Sequence, residues 1–276
     1  MGGSAPWGGC RLPVSLVACD LDGTVLGPGT EIAPDVRLAL AQAETAGWTI
    51  VLASGRMLRS VQGVQSRLGV QGPIIAYNGG LVALPDGRVL HHPIPVAAAQ
   101  RVADVCARHG FFLQTYQDDR LYVPWEDARA DAYSRLAGVP PTVDPDRVFH
   151  PRVAPTKLLV IEPAQRQPEV RAAIAPLAPG ELELANSYPH YLEITAAGID
   201  KGTALAELCA LLGTQPAEVL AVGDGENDLP MLNLAGLGVA VANAAETVRR
   251  AVAHVTRAPY GAGVAEAIRL GGLAGG

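Results

Sequence analysis

An apolar run at residues 14–19 ends directly in the segment Asp20-Leu21-Asp22-Gly23-Thr24. A run of this length, ended by acids and a glycine, predicts a buried β-strand that carries two carboxylates at its tip. Because residues two apart in a strand point to the same side, we expect Asp20 and Asp22 to face one crevice. Two carboxylates so close repel each other unless a cation or a proton lies between them. The pattern predicts a Mg²⁺ site beside one carboxylate that attacks a substrate and one that transfers protons.

Size and charge exclude several classes of protein. The 276 residues are 49% hydrophobic and 17% charged, which favours a globular chain with a sizeable core over a disordered one. A formal net charge of −6 argues against a non-specific nucleic-acid binder. No apolar run approaches the roughly 20 residues that a membrane span needs. We therefore expect no nucleic-acid partner and no membrane partner.

The N-terminus and the cysteines indicate the cellular compartment. Residues 1–13 are Gly-rich and lack the basic and apolar regions of a signal peptide, so we expect a flexible leader. The four cysteines are scattered and show no zinc-binding spacing. Isolated thiols of this kind are typical of a reducing cytoplasm, where we place the protein.

Strands and helices are predicted to alternate at both ends of the chain. The first third shows strands at 14–19, 49–53 and 73–77 and helices at 33–46 and 57–68, a rhythm typical of a doubly wound parallel sheet. The rhythm returns later, with a helix at 201–212, strands at 219–222 and 238–242, and helices beginning at 244 and 263.

Between these parts the pattern changes to short strands and helices. We expect strands at 88–92, 111–116, 121–124 and 156–161, helices at 96–109, 127–137 and 165–177, and a proline-dense loop at 140–155. This indicates an inserted α+β domain. The expected organisation is a leader at 1–13, a core formed by 14–83 and 190–276, and a cap domain at 84–189.

A second acidic cluster, Gly223-Asp224-Gly225-Glu226-Asn227-Asp228, also follows a predicted buried strand. Open parallel sheets bind ligands at the carboxyl ends of their strands, so this cluster can meet Asp20 and Asp22 in space. Together they offer oxygen ligands suited to a hard divalent cation. Either cluster alone is also compatible with a polar loop rich in turn-forming residues.

Three further elements have both a structural and a functional interpretation. Ser54-Gly55-Arg56 follows a strand, where Ser54 can bind a phosphate at a helix start or act as an ordinary helix N-cap. Lys201 opens a helix and can place its ammonium against a phosphate, although a lone lysine there is usually a solvated surface residue. Asn78-Gly79-Gly80 is a strong signal for a tight turn, which can also contribute a contact to substrate.

Taken in order, these motifs resemble the haloacid dehalogenase superfamily. The resemblance rests on Asp20-Leu21-Asp22-Gly23-Thr24, Ser54-Gly55-Arg56, Asp200-Lys201-Gly202 and the cluster at 223–228. Asn78-Gly79-Gly80, Glu193-Ile194 and the run from Gly238 to Ala244 resemble its Cof-type (IIB) phosphatases. The resemblance implies a Rossmann-like α/β core with an inserted C2-type cap domain.

The resemblance also implies a role for each matching residue. Asp20 would form an aspartyl-phosphate, and Asp22 would protonate the leaving oxygen and then activate water. Ser54 and Lys201 would bind the phosphoryl oxygens. Mg²⁺ would be held by Asp20, by the backbone carbonyl of Asp22 and by Asp224, with support from Asn227 and Asp228. The substrate would be contacted by Arg56, Asn78 and Gly79.

The expected activity is therefore Mg²⁺-dependent hydrolysis of small phosphorylated metabolites, namely sugar phosphates. Two alternatives stay open: a phosphomutase or specialised glycosyl-phosphate phosphatase on the same core, and a catalytically idle ligand-binding relative. The sequence leaves the oligomeric state undetermined.

Overall fold

The computed structural model describes residues 14–177 and 179–273. The predicted leader at 1–13 lies outside the described residues. The first half of the chain contains the following elements: β1 (Leu16–Asp20), α1 (Pro34–Thr45), β2 (Thr49–Ala53), α2 (Leu58–Leu68), β3 (Ile74–Ala76), β4 (Leu81–Ala83), β5 (Val89–His91), α3 (Val96–His109), β6 (Phe112–Gln117), β7 (Arg120–Val123) and α4 (Ala128–Ala137). The second half contains these: β8 (Thr142–Val143), α5 (Pro145–Phe149), β9 (Lys157–Ile161), α6 (Gln167–Ile174), β10 (Leu182–Tyr188), β11 (Tyr191–Ala196), α7 (Lys201–Leu212), β12 (Val219–Gly223), α8 (Leu229–Leu234), β13 (Leu237–Ala240), α9 (Glu246–Ala251), β14 (His254–Val255) and α10 (Tyr260–Leu270).

The chain divides into two compact units that interleave along the sequence. The first unit consists of residues up to Ala53, Gln65–Pro73 and the part from Leu205 onward. The second consists of Ser54–Val64 and Ile74–Ala204. This division does not test the domain boundaries expected from the sequence, which remain a prediction.

The first unit contains parallel strands in the order β14-β13-β12-β1-β2. β1 lies between β12 and β2 and is parallel to both. All five residues of β1 are buried, as are all five of β12, which explains why both appear in the sequence as continuous apolar runs. Helices follow the strands, so the predicted α/β class with a parallel sheet is confirmed.

The second unit contains a six-stranded sheet in the order β10-β11-β9-β6-β7-β8. Its pairings are antiparallel except for β7 with β8. The apolar residues of α3 and α6 form a core with this sheet. α3 ends at Gly110, whose left-handed conformation is the usual end of a helix. In the same unit, β4 pairs antiparallel with β3 and with β5.

Some predicted elements of the insertion were wrong. The proline-dense segment expected as a loop contains β8 and α5. Pro145 occupies the first turn of α5, and the Asp144 side chain accepts a hydrogen bond from the Arg147 N–H. Proline there is favourable, because the first N–H groups of a helix have no partner within it. Among the described residues, no helix combines the length and apolar character needed to cross a bilayer.

Candidate active site

The carboxyl ends of β1 and β12 bring the two acidic motifs together in the first unit. The strands are parallel neighbours with Cys19 opposite Val222, so Asp20 and Asp224 leave the sheet at adjacent positions. Asp20, Asp224 and Asp228 each place a carboxylate oxygen within 4.8 Å of the others. We call these three residues the acidic cluster. Asp20 and Asp228 are buried, with exposures of 5% and 0%.

Two residues of the turn after β1 fit closely against Asp224. Thr24 Oγ1 donates a hydrogen bond of 2.8 Å to Asp224 Oδ1. Gly23 has a φ of 88°, and a Cβ atom there would lie 2.3 Å from Asp224 Oδ2. Only glycine fits this position, both in conformation and in space. The Gly-Thr pair therefore fixes the carboxylate of the neighbouring strand.

Asp228 holds the loop that carries Asp224. Its Oδ2 atom accepts hydrogen bonds of 2.9 Å from the backbone N–H groups of Asp224 and Gly225. A carboxylate that accepts two backbone N–H groups rigidifies the loop around it. One oxygen of Asp228 thus orients the loop, and the residue also belongs to the acidic cluster.

The structure adds Asn243, to which sequence reasoning assigned no role. Its Nδ2 donates to the Gly23 carbonyl at 2.8 Å, and its Oδ1 accepts from the Tyr260 N–H at 2.8 Å. One amide side chain therefore joins the turn after β1 to the start of α10. The signal was present, since Asn243 lies in the quoted run from Gly238 to Ala244, but nothing in its spacing indicated what it contacts.

Asp22 and Asn227 are exposed residues at the edge of this arrangement. β1 ends at Asp20, so Asp22 lies in the following turn, where it forms an isolated bridge with Leu26. The strand periodicity that placed both aspartates on one side does not extend to Asp22. Asn227 lies in a short 3₁₀ turn, Glu226–Asp228.

The thiol of Cys19 directly precedes Asp20. Burial, and then the nearby charge of Asp20, raise the pKa of this thiol far above its ordinary value. A thiolate is the reactive form of cysteine, so Cys19 stays neutral and inert.

The remaining predicted residues lie in the second unit. Ser54 is buried, and its Oγ accepts a hydrogen bond of 3.1 Å from the Arg56 N–H. Backbone bonds join this segment to the next strand end, from the Tyr77 N–H to the Arg56 carbonyl and from the Asn78 N–H to the Ser54 carbonyl. The segment 54–56 and the turn at 77–78 thus form one backbone assembly.

Gly79 and Lys201 are brought together at the start of α7. Gly79 has a φ of 105°, and a Cβ atom there would lie 2.3 Å from the Asp200 carbonyl oxygen. Asp200 Oδ1 accepts a bond of 2.7 Å from the Thr203 N–H, which satisfies a donor of the first helical turn. Lys201 has an exposure of 0%, unlike the solvated lysine that is usual at such a position.

The acidic cluster is chemically suited to a divalent cation. Its donors are carboxylate oxygens, the ligand type that Mg²⁺ prefers, and mutual repulsion at this separation favours a cation among them. The close fit of Gly23 and Thr24 against Asp224 keeps the carboxylate of Asp224 in place. The donor set therefore fits a hard divalent cation.

Comparison with known proteins gives concordant matches. The family model for haloacid dehalogenase-like hydrolases matches residues 17–268. A phosphoglycolate phosphatase of Methanopyrus kandleri is 31% identical over 256 residues, covering 92% of this chain and 96% of the relative. A 5-amino-6-(5-phospho-D-ribitylamino)uracil phosphatase of Bacillus subtilis is 27% identical over 274 residues, covering 90% and 95%. The crystal structure of TM0651 from Thermotoga maritima aligns with a TM-score of 0.85 at 32% identity, covering 93% of this chain and 97% of that one.

Proposed function

Since the chain belongs to the haloacid dehalogenase-like hydrolases, in their Cof-type subfamily, and is a phosphoric monoester hydrolase, we propose that it is a Mg²⁺-dependent phosphatase of small phosphorylated metabolites, namely sugar phosphates. The reaction proceeds through an aspartyl-phosphate on Asp20. The observation that carries this proposal is the acidic cluster, in which Asp20, Asp224 and Asp228 converge within 4.8 Å at the ends of adjacent parallel strands.

The proposed metal ligands are Asp20, the backbone carbonyl of Asp22, and Asp224. Asn227 and Asp228 support them, and the two backbone bonds to Asp228 Oδ2 suit such a role. When bound, Mg²⁺ offsets the repulsion between a carboxylate and a phosphate dianion.

In the first half-reaction, an oxygen of Asp20 attacks the phosphorus atom and the ester oxygen leaves as the alcohol. Asp22 donates the proton that the alcohol takes away. In the second half-reaction, Asp22 accepts a proton from a water molecule whose oxygen attacks the same phosphorus. This releases inorganic phosphate and restores the Asp20 carboxylate. The exposed position of Asp22 supports its exchange of protons with substrate and solvent.

The binding roles are divided among residues of the second unit. Ser54 and Lys201 bind phosphoryl oxygens, and burial of both side chains supports a fixed rather than a solvated position. Arg56, Asn78 and Gly79 contact the substrate. The backbone bonds between the segment 54–56 and the turn at 77–78 support a common function for these residues.

Substrate class and compartment rest on two further observations. The Bacillus subtilis relative is named for a phosphorylated ribityl compound, which supports a polyhydroxylated substrate here. The described cysteines Cys19, Cys106 and Cys209 are buried free thiols, which supports a reducing cytoplasm as the place of action.

The test is a panel of substrates assayed with purified protein, with Mg²⁺ and with excess EDTA. We expect hydrolysis of para-nitrophenyl phosphate and higher kcat/KM for sugar phosphates, with activity lost in EDTA and restored by Mg²⁺. The panel includes 2-phosphoglycolate, because the Methanopyrus kandleri relative is named for that substrate. A clear preference for 2-phosphoglycolate would reject sugar phosphates as the class, and full turnover in EDTA would reject the metal site.

A further inference from the structure

The second unit contains a buried ion pair that the reaction scheme above does not use. Lys157 Nζ lies 3.6 Å from Glu193 Oε2. Lys157 opens β9 and Glu193 lies in β11, its antiparallel neighbour, where Glu193 pairs with Leu159. Lys157 is therefore the diagonal neighbour of Glu193 on the same face of the sheet. The side chains of the two residues have exposures of only 1% and 10%.

Lys157 remains charged at this buried position. Burial is the largest influence on its pKa and lowers it, but the charge of Glu193 and contacts with Tyr133 outweigh burial, so the pKa of Lys157 lies above its ordinary value. The ammonium also lies 4.8 Å from the centre of the Tyr116 ring, a favourable cation–π distance. Buried ion pairs are costly to desolvate and give little net stability compared with apolar residues. A function other than stability is therefore expected of this pair.

Both members of the pair contact the segments that contain the proposed binding residues. Lys157 Nζ donates to the Gly55 carbonyl at 3.2 Å, between Ser54 and Arg56. Glu193 Oε2 accepts from Asn78 Nδ2 at 3.2 Å. The residues that these two contacts hold are themselves neighbours, because a Cβ atom on Gly55 would lie 3.1 Å from Asn78 Oδ1.

The turn that Glu193 contacts has an unfavourable backbone. Tyr77 and Asn78 have φ values of 54° and 55°, a left-handed conformation that is unfavourable for a bulky residue such as tyrosine. Such a conformation persists where the surroundings hold it. The Tyr77 hydroxyl donates to Asp119 Oδ1 at 2.7 Å, and Asp119 Oδ2 accepts from the N–H and Nε of Arg59. Asp119 therefore holds the Tyr77 side chain of the turn, and Glu193 holds the Asn78 side chain.

We propose that Lys157 and Glu193 are positioning residues, which fix the Gly55 carbonyl and the Asn78 amide so that the substrate contacts at Arg56 and Asn78 are preorganised. This rests on the proposed function. Side chains that are already held in place lose less conformational entropy when the substrate binds. Loss of the pair therefore weakens substrate binding more than it slows the chemical step.

The test compares Glu193→Gln with Glu162→Gln, a matched control. Glu162 is a buried acid that follows β9, and it contacts Arg129, Arg166 and the N–H of Phe112. For para-nitrophenyl phosphate with Mg²⁺, we expect Glu193→Gln to raise KM about 10-fold and to change kcat less than about 3-fold. Glu162→Gln leaves both nearly unchanged. The inhibition constant of inorganic phosphate is measured as a second binding readout.

A double-variant cycle separates positioning from general damage. If Glu193 acts through Asn78, adding Glu193→Gln to Asn78→Ala raises KM by less than about 2-fold. Glu193→Asp keeps the charge opposite Lys157, so the protein stays stable, but its shorter side chain no longer reaches Asn78. We therefore expect it to raise KM as much as Glu193→Gln does. Equal KM values for Glu193→Gln and Glu162→Gln, or multiplying effects in the cycle, would overturn the inference. Inactive wild-type protein would instead reject the proposed function.

Discussion

In the first unit, Asp20, Asp224 and Asp228 gather carboxylate oxygens within 4.8 Å, whereas two buried acids of the second unit lie against cations. There, Glu193 lies beside Lys157, and Glu162 lies 3.0 Å from Arg129 Nη1 and 2.9 Å from Arg166 Nη1. An acid that is paired with a cation of the same protein holds that part of the structure in place. Acids that lie close to one another repel each other and therefore favour the binding of a metal cation.

The largest expected effect concerns the acidic cluster. Asp20→Asn keeps the side-chain shape but removes the attacking oxygen anion, so we expect turnover of para-nitrophenyl phosphate to fall by at least about 10⁴-fold. The variant stays folded, because it removes one of three like charges. Circular dichroism and urea unfolding in EDTA check the fold. Asp35→Asn, at an exposed position in the first turn of α1, serves as the control and retains normal turnover. Near-normal activity of Asp20→Asn would show that another group attacks phosphorus.

A smaller effect, on stability alone, is expected at a paired acid. The Arg129 guanidinium donates to Asp127 through Nε and Nη2, at 2.9 Å each, and lowers the pKa of Asp127 to about 2. A lowered pKa in the folded state contributes stability above the unfolded pKa, and this contribution is lost as pH falls through the folded pKa. Because solvent screens this partly exposed pair, Asp127→Asn costs about 1 kcal/mol at pH 7, and the difference from wild type shrinks below about pH 4.

Urea unfolding of both proteins from pH 7 to pH 3 measures this difference. Asparagine is as good an N-cap as aspartate, so the capping bond to the Arg129 N–H is retained and the ion pair is what changes. We expect turnover to stay at the wild-type level. A stability difference that is constant with pH would show that the ion pair does not hold the Asp127 carboxylate in its charged form.

The same contrast explains what the sequence could predict. Asp20, Asp22, Asp224 and Asp228 lie in short motifs at the ends of apolar strands, so their local context indicated both a shared edge of the sheet and their chemistry. Lys157 and Glu193 are distant in sequence and meet only because β9 and β11 are neighbours. No local pattern encodes such a pair.

The fold shows a similar limit. Long apolar or amphipathic segments such as β2 and α3 were predicted with the bounds that the structure has. β10 and β11 were missed, because the segment 182–196 alternates irregularly and is interrupted by Pro189 and His190. α5 was missed although Asp144-Pro145 is a helix start signal, since the density of prolines around it indicated a loop.

The most direct measurement is chemical trapping of the phosphorylated enzyme. Asp22→Asn removes the proton acceptor of the second half-reaction, whereas para-nitrophenolate leaves in the first without needing a proton. The aspartyl-phosphate therefore accumulates when the variant meets para-nitrophenyl phosphate and Mg²⁺. Borohydride reduces an acyl phosphate to an alcohol, which converts a phosphorylated aspartate to homoserine. Peptide mass spectrometry should then find homoserine at position 20, and only in samples given both substrate and Mg²⁺. Homoserine at another aspartate, or an unmodified Asp20 in a variant that still turns over slowly, would contradict nucleophilic attack from the acidic cluster.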